Sequence, residues 1–363
     1  MLELSSWIKS YLWPHSGWRR AGFVAGAAIV VFAAAAGASQ KPDGSGGAVR
    51  QVRVTSRPLA SFLKSGEETR RFGRLRFIGG LVLSGDDKSF GGYSGLEISP
   101  DGKSVMAVSD AGTWLRAELV SARGVPAGLI RARIGPLLAL RGRRLTRGKD
   151  RDAEALRLIQ GTLEDGRALV AFERNQRIGT FGIVKGELKA PVSYLRPPRR
   201  IPNNKGFESV AQVPTGKFKG CVIAFAERSI DQNGHHRGWL WLKGIPRAVA
   251  LTDVGGFSVT DIAFGPDGAL YVLERRFRLS EGVKMRVRRI EAAAVKPGAL
   301  LDGRVLMRAD MRHEIDNMEG LAVHRDRRGR TILTMMSDNN FSSFLQRTLL
   351  LQFEVVDDKR AKA

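Results

Sequence analysis

Between Ser94 and Asn340 the chain repeats one pattern of apolar and polar positions five times. The segments are "SGLEISPDGKSVMAVSDAG" from Ser94, "EALRLIQGTLEDGRALVAFERN" from Glu154, "ESVAQVPTGKFKGCVIAFAERS" from Glu208, "TDIAFGPDGALYVLERRF" from Thr260 and "EGLAVHRDRRGRTILTMMSDNN" from Glu319. Each has a short alternating apolar stretch, a turn with Gly and usually Asp, and a second apolar stretch closing on Asp or Glu. Alternation with period two is strand patterning, and Asp-Gly supplies the backbone angles of a tight turn, so each segment predicts a β-hairpin. The turns "SPDGK", "LEDGR" and "GPDGA" carry that signal most clearly.

Successive starts lie about fifty to sixty residues apart, which leaves room for two more strands after each hairpin. Four-stranded units repeated at this period are the signature of a β-propeller. Arg74 to Ser84, "RLRFIGGLVLS", and Thr348 to Val356, "TLLLQFEVV", are strand-like and lie at opposite ends of the repeat region. Ring closure brings them together, because an open ring exposes sheet edges. The expected fold is all-β, a six-bladed β-propeller with five blades as the alternative, and helix is scarce.

The first 38 residues have a different pattern. Trp18-Arg19-Arg20 precede an uncharged run, "AGFVAGAAIVVFAAAAGA" (Ala21 to Ala38), that ends in small residues. A basic region, an apolar region and a small-residue site form the layout of a cleaved export signal. A retained membrane anchor is the other reading, since about 20 apolar residues span a bilayer. The expected organisation is a signal peptide or anchor over 1–38, a linker and N-terminal arm over 39–69, the propeller over 70–357 and a basic tail over 358–363. The expected location is the periplasm or the exterior, with membrane anchoring if the first segment stays attached.

Charge narrows the partners. Lys and Arg number 59 against 36 Asp and Glu, a net +23, which favours anionic partners and speeds encounters with them. A small anionic ester or an anionic envelope polymer fits; a generally basic solvated surface is the plainer reading. Nucleic acid is not expected, as no zinc-finger, RNP or helix-turn-helix pattern occurs. Cys221 is the only cysteine, so an intramolecular disulfide is excluded. Without a G-x-S-x-G elbow, an HExxH or a P-loop, serine-triad, zincin and P-loop chemistry have no motif support.

The acidic positions of the repeat carry the candidate chemistry. Its first position reads Ser94, Glu154, Glu208, Thr260 and Glu319, and its last reads Asp110, Glu173, Glu227, Glu274 and Asp338. The strands of a hairpin are antiparallel, so both positions lie at one sheet edge, and ring closure gathers them around one axis. Like charges at close range must be neutralised, and Ca2+ accepts six to eight carboxylate, amide and carbonyl oxygens. Asp110, Glu173, Glu227, Glu274 and Asp338 are therefore the expected metal set, and Glu154, Glu208 and Glu319 the expected catalytic, water-activating set. Arg174, Arg228 and Arg275 follow the acids, Lys205 lies just before Glu208, and Asn340 follows Asp338. Arg174, Arg228, Lys205 and Asn340 are expected to hold a substrate anion, since guanidinium beside a metal suits phosphate-ester hydrolysis. The competing reading makes the acids strand-end anchors paired with the arginines beside them. Ser94 reads more simply as a hydroxyl bound to backbone than as a nucleophile, and His235-His236 read as an exposed polar turn.

The stretches "GGYSGLEISPDGKSVMAVSDAG", "NKGFESVA" and "NMEGLAV…MMSDNNFSSFLQRTLLLQFEV" together resemble the family called esterase-like activity of phytase, the phytase-like domain proteins. The likeness covers about Arg71 to Val356. It implies a β-propeller, an envelope location and hydrolysis of phosphate or carboxyl esters, and it transfers no catalytic role to any residue. The expected function is an exported hydrolase that attacks an anionic, phosphate-type ester with metal assistance. The alternatives are a non-catalytic envelope-binding module and a lactonase or carboxylesterase on the same platform.

Overall fold

Each hairpin predicted from the repeat forms, and two further strands complete its blade, so that five sheets surround one axis. The computed structural model describes residues 47–198, 201, 206–342 and 344–356. The expected export segment and basic tail, and Lys205, lie outside the described residues. Blade 1 is built from Tyr93–Ile98, Ser104–Ser109, Thr113–Ala122 and Val125–Pro136, and blade 2 from Ala153–Gly161, Asp165–Phe172, Arg177–Val184 and Glu187–Leu195. Blade 3 comprises Phe207–Gln212, Val222–Ile230, His236–Leu242 and Ile245–Leu251; blade 4 comprises Ser258–Phe264, Leu270–Arg278, Gly282–Ile290 and Arg304–Ala309. Blade 5 takes Asn317–Arg325, Thr331–Asp338 and Thr348–Val355 from one end of the repeat region and Leu75–Gly85 from the other. The first strand of every blade lies innermost, and these five strands neighbour one another in a closed ring.

The blade count is five, the alternative, and not six. The two end strands do not found a sheet of their own. They pair with each other inside the blade of the fifth hairpin, from Thr348 opposite Leu83 to Val355 opposite Leu75. That pairing closes the ring as expected and uses up both exposed edges. The stretch expected as linker and arm also contributes strands. Arg50–Val52 pairs on the outer edge of blade 1 and Val54–Leu59 on the outer edge of blade 5, so one short segment bridges the seam.

Turn chemistry holds at two of the three marked sites. Gly102 and Gly268 have φ of 73° and 78°, the left-handed region that glycine adopts without strain. In blade 2, however, the left-handed residue is Gly161, and Asp165-Gly166 already belong to the next strand. His236, expected in an exposed turn, is buried at the start of its strand, and Cys221 is half-buried against the core between blades 3 and 4.

Burial is divided among the blade interfaces. Five separate apolar clusters form, one in each gap between adjacent blades, because each inner sheet face meets only its two neighbours. The axis itself is polar. Arg157, fully buried on the inner strand of blade 2, donates to the carbonyls of Leu96 at 3.2 Å, Val210 at 3.3 Å, Ile262 at 2.8 Å and Leu321 at 3.0 Å. These belong to the inner strands of the other four blades. The guanidinium also meets both oxygens of Asp261, at 2.9 and 3.0 Å, and Glu97 at 3.5 Å. The two carboxylates in turn accept N–H groups of Ile262, Leu321 and Leu158, each at 2.8 Å.

This plug divides the channel. On its far side Glu97, Arg157, His324, Lys219 and Arg325 are among the lining of a cavity of about 530 Å³. Burial pushes the His324 imidazole down to about 4, below its ordinary 6.5.

Two predictions arise here. Arg157→Met should destabilise the fold by about 3–5 kcal/mol in denaturant unfolding, because Asp261 and Glu97 lose their shared cation while staying buried. His324 is neutral in the fold, so the unfolded chain binds the extra proton between pH 6.5 and about 4, and stability falls as pH falls through that window. His324→Gln should remove on the order of 3 kcal/mol of this acid loss, read as a flatter profile of midpoint against pH.

Candidate metal centre at the channel mouth

All five first positions of the repeat are β-bulge residues. Ladder pairing jumps from Tyr93 to Gly95, from Ala153 to Ala155, from Phe207 to Ser209, from Val259 to Asp261 and from Met318 to Gly320. The skipped residues are Ser94, Glu154, Glu208, Thr260 and Glu319. A bulge inserts one residue without a partner and re-aims its side chain. Small residues make room beside it: a Cβ on Gly95 would lie 2.5 Å from the Leu156 nitrogen, and one on Gly320 2.8 Å from Leu96 Cβ.

The second ring lies on the neighbouring strand, one residue past the partner of the residue that precedes each bulge. Asp110, Glu173 and Glu227 use their N–H groups to donate to the carbonyls of Gly92, Asp152 and Gly206, each at 3.0 Å. Counted from the bulge, the same place is held by Arg275 in blade 4 and by Asp338 in blade 5. Glu274 therefore stands one residue out of register with the others, and a one-residue slip turns a side chain to the opposite face. It is removed from the expected metal set. Arg286 donates to its two oxygens at 2.6 and 2.8 Å, and Arg288 does so at 2.8 and 2.6 Å. At this position the acid is a strand anchor, held by two buried guanidiniums.

The remaining acids converge. Asp152, Glu154 and Glu173 bring one carboxylate oxygen each within 4.8 Å of one another, and so do Glu173, Glu208 and Glu227. The two triads share Glu173. Asp152 is not among the expected residues, although "DAE" places it two residues before Glu154, because it lies outside the repeat that begins at the glutamate. Glu319 closes the far side, accepting from Ser94 Oγ at 2.9 Å and from Asn317 Nδ2 at 2.8 Å. Ser94 thus serves a carboxylate rather than backbone.

Electrostatics show crowding. Burial, then the charges of Asp152, Glu319, Glu173 and Asp110, raises Glu154 well above the ordinary glutamate range. Glu208 is raised by burial and by Glu154, Glu227, Glu173 and Glu319. Glu173 is pushed up to about 9 by burial, Asp152 and Glu227. Burial raises Glu319 as well, against the opposing pull of Arg275 and Ser94.

Cations rim the basin. Arg275 lies 3.6 Å from Glu227 and 3.3 Å from Glu319, bridging blades 3 and 5 across the mouth. Arg174 pairs with Asp152 at 2.9 Å and Arg228 with Glu227 at 3.5 Å. Asp338 is buried and accepts the N–H of Asn340 at 2.7 Å. Asn340 is exposed, with φ of 47° and its amide donating to Gln346 at 2.9 Å. The donor set suits a hard cation: carboxylate oxygens only, with enough negative charge to meet a divalent ion.

Opposite substitutions separate the two kinds of acid. Without added cation, Glu173 holds more protons folded than unfolded between pH 4.5 and about 9, so stability falls as pH rises through that window. Glu173→Gln should flatten that fall and raise the melting temperature at pH 8. Glu274→Gln should lower it sharply, by about 3–5 kcal/mol in unfolding free energy, because Arg286 and Arg288 lose their shared anion.

Comparison with known proteins gives three results. A family model described as phytase-like, esterase-like activity of phytase, matches residues 88–341. No curated protein matches the chain. Among solved structures it is similar to a candidate gluconolactonase, at 13% identity and a TM-score of 0.39, over 86% of this chain and 94% of that one. It is also similar to a gluconolactonase from Xanthomonas campestris, at 10% identity and a TM-score of 0.38, over 84% and 95%. Neither structural likeness bears on the chemistry. The family match spans most of the five-bladed ring, including both carboxylate triads, and the chain belongs to the phytase-like family, esterase-like activity of phytase.

Proposed function

We propose that the mouth basin is a divalent-cation site, with calcium as its occupant, at which the protein hydrolyses an anionic ester of the phosphate type. The observation that carries this reading is the pair of overlapping carboxylate triads joined at Glu173. Seven acids, Asp110, Asp152, Glu154, Glu173, Glu208, Glu227 and Glu319, meet or couple electrostatically there. Partial protonation is the alternative to a cation, and it leaves buried polar surface whose only role is repulsion.

A divalent ion, when bound, polarises an ester oxygen and lowers the pKa of water beside it. Asp152, Glu173 and Glu227 are placed to hold it. Glu154 and Glu208, re-aimed by their bulges and raised by burial, are placed to take a proton from water at the site. Glu319 is fixed by Ser94 and Asn317 and acts as the counter-charge that orients Arg275. The Arg275 fork, set between two carboxylates of different blades, faces the basin and suits the spare oxygens of a phosphate. Arg228 and Arg174 add positive charge at the rim. The basic opening followed by an apolar run supports export to the periplasm or exterior.

Turnover of p-nitrophenyl phosphate and p-nitrophenyl butyrate, each with calcium and with chelator, tests the reading. The phosphate should be cleaved and the activity lost on chelation; Glu208→Gln should lower kcat by roughly 10²–10⁴-fold. Absence of turnover of both esters in calcium would overturn the hydrolase assignment. Calcium at 100 times its Kd should stabilise the fold by about 2.7 kcal/mol, and Glu173→Gln should abolish that gain. Identical melting with and without calcium would remove the cation site.

A further inference from the structure

Among the described residues the two most exposed large apolar side chains are Leu279 and Phe344, each 90% exposed. Both lie on loops at the channel mouth. Leu279 tips the hairpin between Leu270–Arg278 and Gly282–Ile290. The inner strand beside it begins at Ser258, opposite Arg275, so Arg276, Phe277 and Arg278 run past the inner strand with only the outer strand as partner. At about 3.3 Å per residue the tip projects roughly 10 Å beyond the inner strand. Its flanks are cationic: Arg276, Arg278 and Lys284 all converge on the single carboxylate of Glu281.

The apolar tip is one of several spaced along the rim. Met311, half exposed, stands beside the hairpin, since a Cβ on Gly282 would lie 2.6 Å from its Cγ. Its loop, residues 310–316, is tied to the loop 339–347 by Arg347 and Glu314 at 2.7 Å. That second loop carries Phe344 and the exposed Leu345. On the other side of the mouth, the connection from blade 1 to blade 2 presents exposed Arg141, Arg143, Arg144, Arg147 and Lys149, with Asp150 as the one acid between Leu137 and Arg151.

Separate apolar tips, one of them on a cationic hairpin, facing the same way as an arginine-rich loop, match an anionic bilayer. Large apolar side chains enter the boundary between headgroups and acyl chains, while Lys and Arg meet lipid phosphates at about 1 kcal/mol each. A protein partner would instead call for a contiguous apolar patch with a polar rim, and here charged residues separate the tips. We infer that the mouth face docks on an anionic phospholipid surface, with Leu279 and Phe344 entering the headgroup layer and the loop 141–151 meeting its phosphates. The docking needs no catalysis at the basin and stands apart from the hydrolytic reading.

The test uses the full chain with Cys221→Ser as background and one added cysteine at a time: Leu279→Cys, Phe344→Cys or Arg327→Cys, each labelled with bimane. Arg327 lies on an exposed turn at the opposite end of the propeller and controls for attachment through the N-terminal apolar run. On vesicles of phosphatidylglycerol, labels at 279 and 344 should shift to the blue and the label at 327 should not. The shift should shrink on phosphatidylcholine and at high salt. Equal shifts at 279 and 327, no shift at 279 and 344, or an equal response on phosphatidylcholine would each overturn the inference. Positions exposed at 90% tolerate these substitutions, and a cooperative melt checks that each labelled chain is folded.

Discussion

One guanidinium sets the geometry of this molecule. The inner strands of a propeller turn backbone carbonyls toward the axis, where no sixth strand exists to receive them. Arg157 supplies the donors from blade 2 to the carbonyls of blades 1, 3, 4 and 5, and so relates all five blades to one point. A buried cation needs anions, and Asp261 and Glu97 meet that need while tying further N–H groups to the same network. The plug also closes the channel from below. Above it the basin glutamates are buried, and burial, ahead of their mutual repulsion, is the main reason they resist ionisation.

Above the plug, function rests on register more than on composition. Five bulges turn one residue per blade toward the axis, and the next ring follows from counting outward from each bulge. Blade 4 breaks the acidic pattern with Thr260 and Arg275. The break sets Arg275 across the mouth between Glu227 of blade 3 and Glu319 of blade 5, and it relegates Glu274 to holding arginines behind the rim. Symmetry gathers the charge; the departure from symmetry gives the basin a direction.

Much of this was legible in the sequence. Alternating apolar residues and Asp-Gly turns identify the hairpins, and the antiparallel rule places Glu154, Glu208, Glu319, Asp110, Glu173 and Glu227 at one mouth. The blade count was not legible, because "RLRFIGGLVLS" reads the same whether it founds a sheet or completes one. Nor was the placement of Glu274: apolar patterning cannot show a bulge, and without it Glu274 and Arg275 are interchangeable candidates. Asp152 was hidden by the chosen start of the repeat, and Arg157 by its setting in an ordinary strand pattern, since a lone arginine among leucines does not announce four distant carbonyls.

The seam in blade 5 has its own consequence for how the protein comes into being. Leu75–Gly85 is made long before its hydrogen-bonding neighbour, Thr348–Val355. Until that neighbour arrives, nothing joins Thr331–Asp338 to Leu75–Gly85, and the ring stays open. A nascent chain can thus hold every acid of the basin without the enclosure that makes those acids a site. Completion rests on one strand, and a chain stopped short of it lacks the pairing that closes the ring.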